Sequence, residues 1–258
     1  MSVQRIYRPA LTPGTTKIDL EQEDFHYLKH VLRLKAGDPL ILFDGIGNEY
    51  SAVINDFGDS RVRLEIREER RVDDPAPPVI LAQAVPKESK MDFIIQKATE
   101  LGVRTIIPFT SSRTVPRLTE EKAAARVKRW RKIAAEASKQ CGGTIVPRVS
   151  EIRTFEAMMD EGARASLPLF FWEEEQGRGI RDVFSAPFRP DLSEISIVVG
   201  PEGGFSRDEA TAARNRGFTA VHLGRRILRV ETAALVILSI IQYEVGSIGA
   251  MPEGNDVP

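Results

Sequence analysis

Val198-Val-Gly-Pro-Glu-Gly-Gly-Phe-Ser-Arg-Asp-Glu209 is the stretch on which the fold reading turns. The apolar run Ile195–Val199 leads directly into Gly200-Pro201-Glu202-Gly203-Gly204, and a Ser206…Glu209 spacing then opens a helix as a capping box. A buried strand, a glycine loop and a capped helix in that order form one unit of an α/β layer. The glycines admit positive φ and let a ligand approach the main chain closely. Such a loop lies at the carboxyl end of a strand, where α/β sheets place ligands. It is neither a P-loop, since no Gly-Lys-Ser/Thr follows, nor the G-x-G-x-x-G dinucleotide fingerprint. Taken alone, it also reads as a plain tight turn.

Working outward, the apolar stretches Val79–Val85, Thr105–Phe109, Leu167–Trp172 and Ala220–Leu223 repeat the buried-strand pattern, with helical patterns between them. The expected arrangement is a parallel sheet. A helix starting at Ser89-Lys-Met-Asp92, with a capping-box-like opening, sets Met91, Ile94, Ile95, Ala98 and Leu101 on one face, and Gly102 ends it. A second helix, from about Glu120 to Gln140, aligns Ala123, Val127, Trp130, Ala134 and Ala137. The last, about Thr232 to Val245, is apolar almost all round, as a central element or a subunit interface would be.

The front of the chain differs. Pro39–Phe43, Tyr50–Ile54 and Arg61–Ile66 alternate with the period of half-buried strands, separated by turn signals such as Asp44-Gly-Ile-Gly-Asn48. Short strands so closely spaced suggest a small β-barrel or sandwich. The charged run Glu65–Asp74 then meets Pro75-Ala-Pro-Pro78, which resists helix and central strand alike. The domains are therefore expected at 1–74 and 75–258, with the tail Pro252–Pro258 disordered.

Composition sets the outer bounds. The 258 residues are 42% hydrophobic and 28% charged, enough for one large domain or two unequal ones. A single cysteine, Cys141, excludes an internal disulfide framework and a thiolate-rich zinc site, and is expected to be buried or half-buried rather than a nucleophile. The first twenty residues lack a signal-peptide core, and the apolar stretch Ala233–Ile241, broken by Ser239, is too short to cross a bilayer. A soluble cytoplasmic protein, with no membrane and no metal, is expected. Formal charge is −1, yet residues 111–153 carry a net +7 and the remainder −8. That surplus reads either as a solvated helix face or as the footprint of a polyanion.

Val221-His-Leu-Gly-Arg-Arg-Ile-Leu-Arg-Val-Glu-Thr-Ala-Ala234 is a second strand, glycine, loop and helix. Arg225, Arg226 and Arg229 fall within five residues, a grouping suited to a carboxylate, an anion or developing negative charge. Alternatively, Glu231 and Thr232 merely open the helix while the arginines solvate the surface.

The two motifs together resemble the SPOUT-superfamily RNA methyltransferases of the RsmE type. Gly200–Gly204 with Leu223–Ala234 matches that family's signature, and Lys90-Met-Asp-Phe-Ile-Ile-Gln-Lys-Ala-Thr-Glu-Leu-Gly-Val103 resembles its first helix. His26–Lys35 and Leu42–Tyr50 resemble its PUA-like RNA-binding barrel. The resemblance implies a C-terminal α/β domain with a deep trefoil knot, homodimers, bound S-adenosylmethionine (SAM), and methylation of N3 of a uridine in 16S ribosomal RNA of the small subunit. It implies that SAM lies against Gly200, Pro201, Glu202 and Gly203, and against Leu223, Gly224, Ile227 and Leu228. Thr232 and Ala233 complete that pocket, and Phe171 or Trp172 closes a wall.

Catalysis then falls to Arg229, which stabilises negative charge on the uracil carbonyls, and to Glu202, as base or as loop-orienting group. Under the same resemblance the basic segment faces RNA, with contacts expected from Lys87, Arg113 and Gln140, and from Arg33 of the barrel. One departure stands out: the family often continues Gln-Ser-Gly-Arg after the basic helix, where this chain has Gln140-Cys-Gly-Gly143. Either a substrate-facing arginine is simply missing here, or its work passes to Lys139 or Arg148. His26 and His30, four apart, lack the acidic partner of a zinc helix, and His222 is expected to be a structural strand residue. Other readings are a transfer-RNA ribose methyltransferase, against which the front domain argues, and a non-catalytic assembly factor.

Overall fold

The computed structural model describes residues 3–9, 11–72, 76–114, 118–185 and 192–249. The expectation for Pro252–Pro258 lies outside them. By contact the chain divides into Met1–Asp73 with Ser138–Val146, and Asp74–Ala137 with Pro147–Pro258.

The first unit runs β1 (Gln4–Tyr7), β2 (Lys17–Glu21), α1 (Gln22–His26), a π-helical turn (Tyr27–Val31), β3 (Pro39–Phe43), β4 (Asn48–Phe57) and β5 (Arg61–Arg71). These strands form a five-stranded sheet in the order β1-β3-β4-β5-β2, antiparallel except where β1 pairs with β3. Alternation puts Leu40, Leu42, Tyr50, Ala52, Ile54, Val62 and Leu64 inside, as the period-two pattern requires. β5 continues past Ile66 to Arg71, so the charged run is largely strand rather than linker. Cross-strand pairing supports it: buried Glu49 on β4 accepts from Arg70 at 2.6 and 2.9 Å and from Arg5 at 2.5 Å.

The turn between β3 and β4 is closed by Asp44, whose Oδ1 accepts the N–H groups of Ile46 and Asn48 at 2.8 and 3.0 Å. Ile145 bridges to Gly45 and Ile46, and the Val146 N–H donates to the Gly45 carbonyl at 2.9 Å. This is how Ser138–Val146 joins the first unit.

The second unit runs β6 (Val79–Ala84), α2 (Lys90–Glu100), β7 (Thr105–Thr110), α3 (Glu120–Cys141), β8 (Arg148–Val149), β9 (Arg153–Thr154) and α4 (Phe155–Gly162). Then come β10 (Leu167–Phe171), α5 (Ile180–Phe184), β11 (Ile195–Val199), α6 (Arg207–Asn215), β12 (Thr219–Val221) and α7 (Val230–Glu244). Every pairing in its sheet is parallel, in the order β12-β10-β11-β6-β7-β8, with β9 also on β7. All five residues of β11 are buried, as are all six of β6, which explains sequences that are apolar except at Gln83 and Ser196. β12 pairs with β10 on the side away from β11, so the carboxyl ends of β10, β11 and β12 are neighbours. An aromatic cluster anchors this region: the Phe205 ring lies tilted 4.3 Å from Phe170 and parallel to Phe109 at 6.4 Å.

Local expectations divide. Ser206 caps α6 in a full capping box with Glu209, and Gly102, at φ +77°, ends α2. Ser89 makes no cap bond: its backbone is not extended, and Asp92 instead accepts from Arg129 at 2.5 Å and from the Trp130 indole at 3.1 Å. Trp130 is accordingly buried, as its place on the apolar stripe of α3 requires. Cys141, the last residue of α3, is exposed, contrary to expectation. α7 buries Ala234, Ile237, Leu238 and Ile241 and packs on α2, while Tyr243 remains 67% exposed. Its apolar sequence exceeds what the described residues of this chain cover.

Candidate active site

The loops after β10, β11 and β12 enclose a cleft of about 900 Å³, within the range of small-molecule sites. The sequence-predicted residues Phe171, Trp172, Gly200, Pro201, Glu202 and Gly203 line it from two loops. Leu223, Gly224, Ile227, Leu228, Arg229 and Ala233 line it from the third and from the start of α7. Thr232 is exposed and stands outside the lining, because the helix turns it away from the face that carries Ala233.

Each loop is shaped by a close contact. A Cβ at Gly200 would lie 2.9 Å from the buried Phe205 ring, so the chain can turn over that ring only as glycine. Gly224, at φ +105°, has nothing within 4 Å of a Cβ position, leaving its backbone open. The His222 imidazole accepts the Gly224 N–H on Nδ1 at 3.0 Å, which fixes the loop's entry. His222, one residue beyond β12, is still held as a strand residue would be, in a parallel bridge with Gly179, donating to the Arg178 carbonyl at 2.9 Å and accepting from the Ile180 N–H at 3.2 Å, and it also lines the cleft.

Glu202 is engaged on several sides. Its Oε1 accepts from the Lys90 ammonium at 2.9 Å and from the Lys87 N–H at 3.1 Å. Burial pushes this carboxyl up, but the hydrogen bonds from Lys90 and from backbone N–H groups outweigh it and hold it below the usual range. The Lys90 ammonium is correspondingly raised, mainly by its hydrogen bond to Glu202, and also lies 3.9 Å from Glu231. A carboxylate stabilised in its charged form is a poor proton acceptor, so the geometry favours the loop-orienting role over the base. Arg225, Arg226 and Arg229 are exposed at the cleft and make no ion pair among the described residues.

The expected RNA contacts separate into two pairs. Lys87 and Arg113 both engage the glycine loop, Arg113 donating to the Gly203 carbonyl at 2.9 Å. Arg33, exposed at φ +56°, and Gln140, also exposed, belong to the first unit. Of the two residues expected to replace the missing arginine, Arg148 pairs with Glu161 at 2.9 Å, and Lys139 lies over the Tyr27 ring at 4.8 Å. Lys90, Glu173, Glu175 and His222 join the cleft without having been picked out as site residues from sequence. Lys90 opens α2, and only the folded chain shows that α2 begins beside a loop 112 residues later.

Among the described residues no group of three His, Cys, Asp or Glu side chains is placed to hold a metal ion. The His26 and His30 rings sit 5.0 Å apart where α1 passes into the π-helical turn. None of the described helices is long and apolar enough to cross a membrane.

A parallel sheet whose neighbouring strand ends hold two glycine loops around an arginine-lined cleft defines a ligand-binding α/β protein. Residues 73–242 match the RNA methyltransferase domain, and residues 20–67 match the RNA methyltransferase PUA domain. Ribosomal RNA small subunit methyltransferase E of Bacillus subtilis is 34% identical over 86% of this chain and 88% of its own. That of Rickettsia conorii is 31% identical over 94% and 96%. Among solved structures, the Neisseria gonorrhoeae ribosomal RNA small subunit methyltransferase E bound to SAM superposes with a TM-score of 0.82, at 31% identity, covering 94% of this chain and 98% of that one. A putative Legionella pneumophila methyltransferase in complex with SAM gives the same values. The chain belongs to the RNA methyltransferase family that includes ribosomal RNA small subunit methyltransferase E.

Proposed function

We propose that this protein uses SAM to methylate N3 of one uridine in the 16S ribosomal RNA of the small subunit. The observation that carries the reading is the cleft itself, which joins the Gly200–Gly204 loop to Arg229, at the start of α7 and without an ion pair among the described residues. Its donor set suits SAM: open backbone at Gly224, apolar wall at Phe171 and Leu228, and a buried Trp172 indole N–H with no partner among the described residues. When bound there, SAM supplies an electrophilic methyl group. Gly200, Pro201, Gly203, Leu223, Gly224, Ile227, Leu228 and Ala233 would hold it.

The protein's own work concerns the base. N3 lies on the Watson–Crick edge, so the uridine must be unpaired before it enters. N3 also carries a proton, and its loss to solvent water leaves charge delocalised onto the flanking carbonyls. Arg229 stabilises that charge as an oxyanion hole does, and alignment in the cleft contributes further. Glu202, held by Lys90 and the Lys87 N–H, orients the glycine loop. Lys87, Arg113, Arg33, Gln140 and the bases of α3 contact RNA.

Residues 1–74 serve as the RNA-binding module and 75–258 as the methyltransferase, the latter with a deep trefoil knot. The return of β12 to the far side of β10 supports that topology. A homodimer, acting in the cytoplasm, accounts for the apolar surface of α7 and for Ile227, which is 91% exposed. The test is methyl transfer from labelled SAM to small subunits from a strain lacking this enzyme, followed by nucleoside analysis. 3-Methyluridine at one site is the expected product; a different nucleoside would refute the proposed target.

A further inference from the structure

Glu173, Glu174 and Glu175 follow β10 consecutively, and the structure treats them differently. Glu174 accepts from Arg207 at 3.1 Å, and Glu175 accepts from Arg214 at 2.5 Å and from the Gly177 N–H at 2.7 Å. Glu173 has no ion pair or hydrogen bond among the described residues, yet it lines the cleft. Its carboxylate rests on the bare Cα of Gly204: a Cβ built there would collide with Oε1 and lie 2.6 Å from the carboxyl carbon. Gly204 also has φ +66°, so the loop leaves out a side chain at the point where this carboxylate sits.

The lining holds three carboxylates, and two are already neutralised, Glu202 by Lys90 and Glu175 by Arg214. Glu173 is the remaining one, with no ion-pair partner among the described residues. In a cleft partly stripped of water, such a charge is worth more than on an open surface and favours a cationic group in the ligand. Arg225, Arg226 and Arg229, with no ion pair among the described residues, favour anionic groups elsewhere in the lining.

Resting on the reading that the cleft holds SAM, we propose that Glu173 is a specificity-determining residue that selects the charged cofactor over its demethylated product. The carboxylate supplies the counter-charge for the sulfonium. Departure of the methyl group leaves the carbon–sulfur bonding pair on sulfur, which becomes a neutral thioether, while the uridine N3 gains the new bond. The attraction therefore acts before transfer and disappears with it, so the product leaves more readily than the cofactor. Both molecules carry the same ammonium and carboxylate, so any difference between them at Glu173 reports on sulfur alone.

The test is calorimetric binding by the full chain of three ligands: SAM, S-adenosylhomocysteine, and the SAM analogue in which a protonated amine replaces the sulfonium. Glu173→Gln is exposed and isosteric, and its unliganded melting temperature checks the fold. SAM and the amine analogue are expected to weaken about fivefold to tenfold, the scale of one partly screened charge pair, with S-adenosylhomocysteine changing less than about twofold. Glu174→Gln, which loses only an outer ion pair, should change none of the three. Equal weakening of all three ligands by Glu173→Gln, or no weakening of any, would overturn the assignment. Wild-type protein that bound none of them would overturn the SAM reading itself, a distinct result.

Discussion

The Lys90 ammonium and the Glu202 carboxylate stand 2.9 Å apart and tie the first turn of α2 to the glycine loop after β11. With the Lys87 N–H on the same oxygen, they fix a loop that glycine would otherwise leave loose.

Replacing Lys90 with methionine should therefore loosen the loop without emptying the cleft. SAM affinity is expected to fall about threefold to tenfold, as for loss of a partly buried charge-assisted bond. Calorimetry on the variant checks this, and unchanged affinity would mean the bridge does not shape the cleft.

The same pair sets a pH dependence. Glu202 is held below its ordinary range, so its stabilisation is complete above the usual glutamate pKa, about 4.3, and fades as pH falls through the lowered value. Lys90 is raised, so its share is intact at neutrality and fades only as pH climbs through a value above about 10.4. Wild type should melt above Glu202→Gln at neutral pH, with the gap narrowing as pH falls below the usual glutamate range. Melting curves across that interval decide it.

Arg229→Ala should separate chemistry from binding. Turnover is expected to drop roughly 100-fold, the scale for one donor to a developing anion. SAM affinity should stay within about twofold, because Arg229 is assigned to the uracil rather than to the cofactor. Single-turnover kinetics beside calorimetry distinguishes the two; equal losses in both would remove Arg229 from its proposed role.

The aromatic cluster under the loop should govern stability. Phe205 is fully buried against Phe109, Phe155 and Phe170, so Phe205→Ala should cost about 3–5 kcal/mol. Gly200→Ala pushes a methyl group against that ring and should cost about 1–3 kcal/mol. Urea unfolding measures both.

The two serine helix starts make an internal comparison. Ser206→Ala removes a formed cap and should cost about 1 kcal/mol. Ser89→Ala, where no cap bond exists, should fall within about 0.5 kcal/mol of wild type. Paired denaturation curves would expose any reversal of that order.

What was legible in the sequence follows the range of each interaction. β3 and β11 have the expected limits because their side chains alternate inward or are wholly buried. The Ser206 cap was equally plain, being a contact over three residues. β1 and β2, four and five residues long, offer too little alternation to stand out. Ser89 misled because its partner, Asp92, is claimed by Arg129 and Trp130, 37 and 38 residues away. In the candidate site, two loops were visible as motifs; Glu173 and Lys90 were not, because their importance depends on which neighbours leave them unpaired or bridged.

Ser138–Val146 finally bears on how this protein can be taken apart. The hairpin turn at Gly45 and Ile46 finds its bridge partner in Ile145, so the front unit draws part of its own structure from the middle of the chain. A fragment ending at residue 73 would lack that segment and present unmet backbone groups at Gly45 and Gly47. Modular exchange of the front unit between related enzymes would thus have to carry nine further residues with it, from a site some sixty residues downstream.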